Sequence, residues 1–257
     1  MTYDIREEGK FKYIEKGEGK VLLLLHGLFG ALSNFRDIID EFSLQCKVVI
    51  PFLPIYELPI LEASVGGLVR YVNDFVNFKN YPSVTLLGNS LGGHIALLYA
   101  LEHPEKVEGM ILTGSSGLFE SSLGGSFPKR GDYDFIKTKT EYTFYDPKTA
   151  TKELVDEVYE IVNNRGKAIR VIATAKSAMR HNLSKELHKI TAPTLLIWGQ
   201  DDHITPPFVG EEFKKLIPNA ELVFINQCGH APMMERPKEF NQILNDFLLK
   251  LKVSATS

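Results

Sequence analysis

A serine stands in Gly88-Asn89-Ser90-Leu91-Gly92, a G-x-S-x-G pattern that directly follows the apolar run 84–87 and directly precedes a stretch with helical spacing. A serine on so sharp a strand-to-helix turn projects its Oγ off the end of a sheet, and flanking glycines let neighbouring backbone come close. The start of the helix offers unpaired N–H groups to a developing oxyanion. Serine at its ordinary pKa is a weak nucleophile, so such chemistry also needs a histidine base and a carboxylate to orient it. Among the seven histidines, His230 stands in Gln227-Cys228-Gly229-His230, just past the apolar run 221–225. Asp202 follows the run 194–198 in WGQDDHITPP, with Asp201 as its neighbour and competitor. Serine, aspartate and histidine thus sit in that order in three loops, each at the end of an apolar run, where an α/β sheet collects its functional residues. A fourth loop, His26-Gly27-Leu28-Phe29-Gly30, follows the run 21–25, and its glycines let the backbone turn toward Ser90. We assign an oxyanion hole to the amides of Leu28 and Leu91, a structural role to His26 as a buried histidine bonded to nearby backbone, and substrate contacts to Phe29 and Asn89.

The elements that must position these loops are legible in the hydrophobic pattern. Short runs rich in Val, Ile and Leu recur at 21–25, 47–50, 84–87, 107–112, 194–198 and 221–225. They do not alternate with polar residues, as suits strands buried on both faces of a parallel sheet. Helical spacing lies between them, in Val65, Leu68, Val69, Val72, Phe75 and Val76, and again in Ile95, Leu98 and Leu101. The alternation predicts an α/β class with helices on both sides of the sheet. Tyr3 and Ile5, then Phe11, Tyr13 and Ile14 about Gly9, predict an antiparallel hairpin at the start. The rhythm breaks over 117–192, which carries helical stripes at Leu154, Val155, Val158, Ile161 and Val162 and at Ile169, Ile172, Ala173 and Met179. Residues 120–131, rich in Ser and Gly, read as a connector. The core is therefore expected over 1–116 and 193–257, with 117–192 as a helical insertion.

Composition excludes other classes. The 257 residues carry 29 basic and 32 acidic side chains and a net charge of −3, which leaves no sequence-wide positive field for phosphate backbones, so no nucleic-acid partner is expected. The apolar run 21–25 is far short of the roughly 20 residues that span a bilayer, and the charged start MTYDIREEGKFKY lacks the apolar region of a secretory signal. No membrane span and a mature chain starting at Met1 are the expectation. Cys46 and Cys228 form neither a disulfide framework nor a zinc spacing. A cytoplasmic location and no metal are expected; the oligomeric state is not encoded in any feature of the pattern.

Taken together, HGLFG, GNSLGG, PTLLIWGQDDHITPP and CGHAPMMERP resemble the α/β-hydrolase superfamily in that family's order, over essentially the whole chain. The resemblance implies an eight-stranded mostly parallel sheet flanked by helices, with 117–192 as a helical lid and no cofactor. Its W-G-x-x-D pattern points to Asp202 over Asp201. A serine rather than an aspartate nucleophile separates the chain from epoxide hydrolases and haloalkane dehalogenases. The elbow is similar to that of the hydrolases that cleave carbon–carbon bonds in products of aromatic ring fission, although those commonly follow the catalytic histidine with Trp, where Ala231 stands here. Their lid also supplies an arginine to the substrate carboxylate, a place for which Arg165, Arg170 and Arg180 lie in the right block. The function expected is that of a carboxylesterase-like serine hydrolase, cleaving a small ester or related acyl substrate through an acyl-enzyme. The alternatives are carbon–carbon bond hydrolysis of a vinylogous diketo acid and a non-catalytic binding protein for a small ligand. Phe29, Phe119, Phe127, Phe135 and Phe208 are the aromatic candidates for an acyl pocket.

Overall fold

The computed structural model describes residues 3–30, 32–119 and 130–254. Its strands are β1 (Ile5–Glu8), β2 (Phe11–Lys16), β3 (Val21–Leu25), β4 (Lys47–Pro51), β5 (Val84–Asn89), β6 (Val107–Thr113), β7 (Thr194–Gly199) and β8 (Ala220–Ile225). They form one eight-stranded sheet in the order β1-β2-β4-β3-β5-β6-β7-β8. The pairs β1–β2 and β2–β4 are antiparallel, and every pair from β4 to β8 is parallel. The hairpin turns at Gly9, whose φ of 60° lies in the left-handed region that glycine enters at no steric cost.

The parallel strands do not alternate in polarity because both faces are covered, and alternate residues feed two different cores. Leu23, Leu25, Leu86, Leu112, Leu196 and Trp198 pack with α2 (Val65–Phe78) and α3 (Leu91–Glu102) on one face. Leu22, Leu24, Leu87, Ile111, Leu195 and Ile197 pack on the other with α1 (Arg36–Phe42) and α9 (Pro237–Ser254). The apolar spacing in α2 meets the first core as expected, and its start is set by Ser64, whose Oγ accepts from Gly67 N. The spacing at Ile95, Leu98 and Leu101 falls in α3, which begins at Leu91; all residues from Leu91 to Ala100 are buried, and the helix is apolar all round because it is packed on every side.

Between β6 and β7 the described chain runs through α4 (Tyr133–Glu141), α5 (Lys152–Asn163) and α6 (Arg165–Arg180). Each starts on a side-chain cap, from Asp132, Thr151 and Asn164 respectively. The stripe expected in α5 is largely buried, but that in α6 is not. Val171, Thr174 and Ala178 are buried there, whereas Ile169 and Met179 are 45% and 53% exposed. Ile172 and Met179 face a cavity instead of packed core. The chain then re-enters the sheet at β7, followed by α7 (Pro207–Leu216), β8 and the short α8 (Pro232–Glu235).

Candidate active site

Ser90 occupies the single-residue corner between β5 and α3, with φ 55° and ψ −119°. A positive φ on a residue with a β-carbon is strained, and the surrounding hydrogen bonds hold it. Ser90 N donates to Thr113 O at 3.1 Å, and Ser90 O accepts from Gly93 N at 3.0 Å, His94 N at 3.2 Å and Ser116 N at 3.1 Å. The flanking glycines are needed for close approach: a β-carbon on Gly92 would run into the Leu25 carbonyl, and one on Gly88 into the Gly92 carbonyl.

The other two residues meet below this corner. His230 Nδ1 lies 2.9 Å from Asp202 Oδ2, with the two residues 6% and 2% exposed. The carboxylate is otherwise saturated. Oδ1 accepts from Ile204 N at 2.8 Å and Thr205 N at 2.9 Å, and Oδ2 accepts from Thr205 Oγ1 at 2.8 Å. Asp201, the competitor, accepts from Cys228 N at 3.4 Å. Sequence reasoning passed over Thr205, whose Oγ1 is also 3.3 Å from His230 Nδ1. Its signal was local: Asp202 makes a side-chain turn, its Oδ1 taking the N–H two residues on, which brings Thr205 beside the carboxylate.

The first loop adjoins the corner: a β-carbon on Gly27 would lie 3.3 Å from Ser90 Cβ. His26 is structural here, its Nδ1 donating to Gly27 O at 2.9 Å and its Nε2 accepting from Leu53 N at 3.1 Å. Burial holds its pKa below the ordinary imidazole value, against the smaller upward pull of the Gly27 carbonyl. Tyr56 Oη donates to Leu28 O at 2.9 Å and fixes the same loop from outside. Asn89 borders the cavity, and its Nδ2 donates to Thr113 O at 3.0 Å and to His230 O at 3.1 Å, so its amide hydrogens also brace the histidine loop.

Ser90, His230, Leu28, Phe29 and Leu91 line a cavity of about 480 Å³. One side of its wall comes from α5 and α6 and is almost entirely aliphatic, through residues such as Val158, Ile161, Ile172 and Met179. Among the described lining residues the fully charged ones are Arg130, Lys139 and Lys176, all basic. Of the aromatic candidates Phe29 lines it, while Phe119 and Phe208 stack on each other at 5.4 Å with about half their surface exposed. Phe135 packs beside Ile136 and Val158, and Phe127 lies outside the described residues. Phe144, which no pattern singled out, does line the cavity. Arg165, Arg170 and Arg180 are not among its described lining, and Arg170 is engaged with Leu58 O at 2.6 Å. A larger open groove of about 1100 Å³ lies alongside, sharing Gly30, Leu154 and Met234, and includes none of Ser90, Asp202 and His230.

Behind the corner, His94 is fully buried and neither ring nitrogen has a hydrogen-bond partner. Burial pushes its pKa down to about 3, and the nearby His181, its ring 5.6 Å away, adds to this. Below the ordinary value of 6.5 the unfolded chain therefore binds more protons than the folded one, and stability falls as pH drops. At about 1.4 kcal/mol per pH unit, the native protein is expected to lose about 2 kcal/mol more than a His94→Leu variant between pH 6.5 and 5. Urea unfolding at the two pH values measures this difference; equal losses would contradict it.

Both cysteines are free and buried. Among the described residues no cluster of three or more His, Cys, Asp or Glu would hold a metal ion, and no helix is long and apolar enough to cross a membrane.

With this geometry in place, comparison with known proteins adds a lineage. The model of the alpha/beta hydrolase family matches residues 22–243. A 2-hydroxy-6-oxo-6-phenylhexa-2,4-dienoate hydrolase of Comamonas testosteroni is 30% identical over 92% of this chain and 90% of its own length. A monoacylglycerol lipase of Xenopus laevis is 26% identical over 98% of this chain and 83% of its own. Among solved structures, an alpha/beta hydrolase enzyme from the sediment metagenome of the Mar Chica lagoon in Morocco is 47% identical, with a TM-score of 0.80, covering 96% of this chain and 98% of the other.

Proposed function

The chain belongs to the alpha/beta hydrolase family, and from that premise we propose that it is a serine hydrolase acting on small esters or related acyl compounds. The observation that carries this reading is the buried Asp202–His230 pair beside a cavity that Ser90 lines from its strained corner. In the mechanism, His230 Nε2 takes the Ser90 proton while Nδ1–H stays on Asp202, whose charge stabilises the imidazolium. Ser90 Oγ attacks the acyl carbon. The Leu28 and Leu91 amides receive the oxyanion, the latter at the first position of α3, where a helix N–H has no intrahelical partner. Water activated by His230 then releases the acid. In the same reading, 1–116 and 193–257 form the core and 117–192 is a lid whose α5 and α6 supply the acyl wall.

A fluorophosphonate probe and a series of p-nitrophenyl acyl esters test the reading together. Labelling at Ser90 with ester turnover supports it; a folded protein that is neither labelled nor active points instead to a binding protein. The second reading, carbon–carbon bond hydrolysis of a vinylogous diketo acid, is favoured by the all-basic charged lining among the described residues, which suits a carboxylate, and by the dienoate hydrolase relative. Turnover of a ring-fission product faster than any ester would select it.

The acyl wall makes its own prediction. Ala175 of α6 lines the cavity, and Ala175→Trp is expected to fill acyl space. It should lower kcat/KM for an octanoyl ester by about tenfold or more while leaving the acetyl ester within about threefold, since apolar pocket contacts discriminate on that scale. Equal losses on both esters would place the acyl chain elsewhere.

A further inference from the structure

The loop that carries His230 is held from two sides, and one side is the inserted segment. His230 N donates to Thr143 O at 3.0 Å, a contact between the histidine's own backbone and the turn after α4. One residue earlier, Gly229 N donates to Glu235 Oε1 at 2.8 Å, while the other oxygen of that carboxylate takes Tyr145 N at 2.7 Å and Asp146 N at 3.4 Å. Glu235 thus ties the histidine loop to residues 145 and 146 of the insertion through both of its oxygens. Gly229 lies in the middle of this seam. A β-carbon there would come within 2.7 Å of Thr143 O, 2.9 Å of Tyr145 N and 3.0 Å of Glu235 Oε1.

We propose that the insertion takes part in placing the general base, with Glu235 as the positioning residue that clamps segment 143–146 onto the His230 loop. The proposal rests on the reading of Ser90, His230 and Asp202 as a triad. A carboxylate that accepts from ionisation-independent N–H donors on two segments far apart in sequence makes charge-assisted bonds to both, stronger than neutral ones. Burial raises its pKa above the ordinary carboxylate value, and the three backbone N–H groups offset part of that rise. Thr143 of the seam borders the cavity, but the bonds of the seam run to the backbone of the His230 loop and not to α5 or α6, so loosening it moves the imidazole relative to Ser90 while leaving the wall from those two helices in place. An error of about 1 Å in such a contact costs on the order of 100-fold in rate.

Two variants approach the seam from opposite sides. Glu235→Ala removes both ties, and Gly229→Ala drives a methyl group between the loop and Thr143 while leaving the carboxylate in place. Each is compared with native protein by kcat and KM for a p-nitrophenyl ester, with kcat normalised to the serine that a fluorophosphonate titrates. Both are expected to lose 10- to 100-fold in kcat, with KM within about twofold. Glu235→Gln, which keeps one acceptor oxygen and so one tie, should fall between Glu235→Ala and native protein. If Glu235→Ala fails to fold, Gly229→Ala decides. Normalised kcat within twofold of native overturns the proposal even if the melting temperature drops, because the seam would then be structural only, and so does a loss confined to KM. The triad reading fails separately, through an active Ser90→Ala variant or a native serine that takes no label, and the proposal falls with it.

Discussion

Ser90→Ala is expected to lower kcat for a p-nitrophenyl acyl ester by roughly 10⁴- to 10⁶-fold, which at about 1.4 kcal/mol per decade is about 5 to 8 kcal/mol of transition-state stabilisation. On the proposed mechanism the loss is that large because removing the nucleophile leaves only the oxyanion amides and substrate binding to act on water. The same substitution should leave the fold almost untouched. The Ser90 side chain makes no capping bond to α3, and the bonds that hold the corner run through its backbone N and O, which alanine keeps. The Cβ that makes φ 55° strained is common to both residues, so the stored strain does not change. The measurement is steady-state turnover beside a melting curve. Turnover within tenfold of native at an unchanged melting temperature would remove Ser90 from the chemistry.

Asp202→Asn is the second large effect, with an expected loss of about 10³- to 10⁴-fold in kcat. The argument lies in which oxygen does what. Oδ1 receives Ile204 N and Thr205 N, and an asparagine can keep its carbonyl oxygen there, so the turn survives. That places the amide nitrogen where Oδ2 was, against His230 Nδ1 and Thr205 Oγ1. An amide donates, so His230 Nδ1 must become the acceptor and the ring proton moves to Nε2. The nitrogen meant to take the Ser90 proton then already carries one. Asp201→Asn is the control, expected to stay within a few-fold of native because the Asp201 carboxylate takes the Cys228 amide while the Asp202 carboxylate takes His230 Nδ1. Comparable losses in the two variants would mean that the loop as a whole, rather than the Asp202 carboxylate, carries the effect.

Much of this site was legible before any coordinates. The strands bearing the three loops are buried on both faces, and that condition writes unbroken runs of Val, Ile and Leu such as 21–25 and 194–198 into the chain. The corner at Ser90 requires glycines because carbonyls of Leu25 and Gly92 press on it, and those glycines were visible. Thr205 was within reach of a closer local reading. The brace that Asn89 puts on the histidine loop was not legible, because its partners, the carbonyls of Thr113 and His230, are 24 and 141 residues away in the chain. In α6 the period of the apolar residues was real, but period reports only that a face is apolar. Whether that face meets core or an open cavity depends on which helix is packed opposite it.

The class of sheet, the order of the motifs and the kind of chemistry they suit were already written in the chain, because each is a local consequence of burial, backbone approach or residue type. Left to the fold were the distance from His230 to the Asp202 carboxylate, the phenylalanines that reach the cavity, and the tie through Glu235 between the histidine loop and the insertion. Those are distances between segments up to 90 residues apart in the bonds of Glu235 alone, and they exist only once two covered sheet faces and an inserted helical block have brought the segments together.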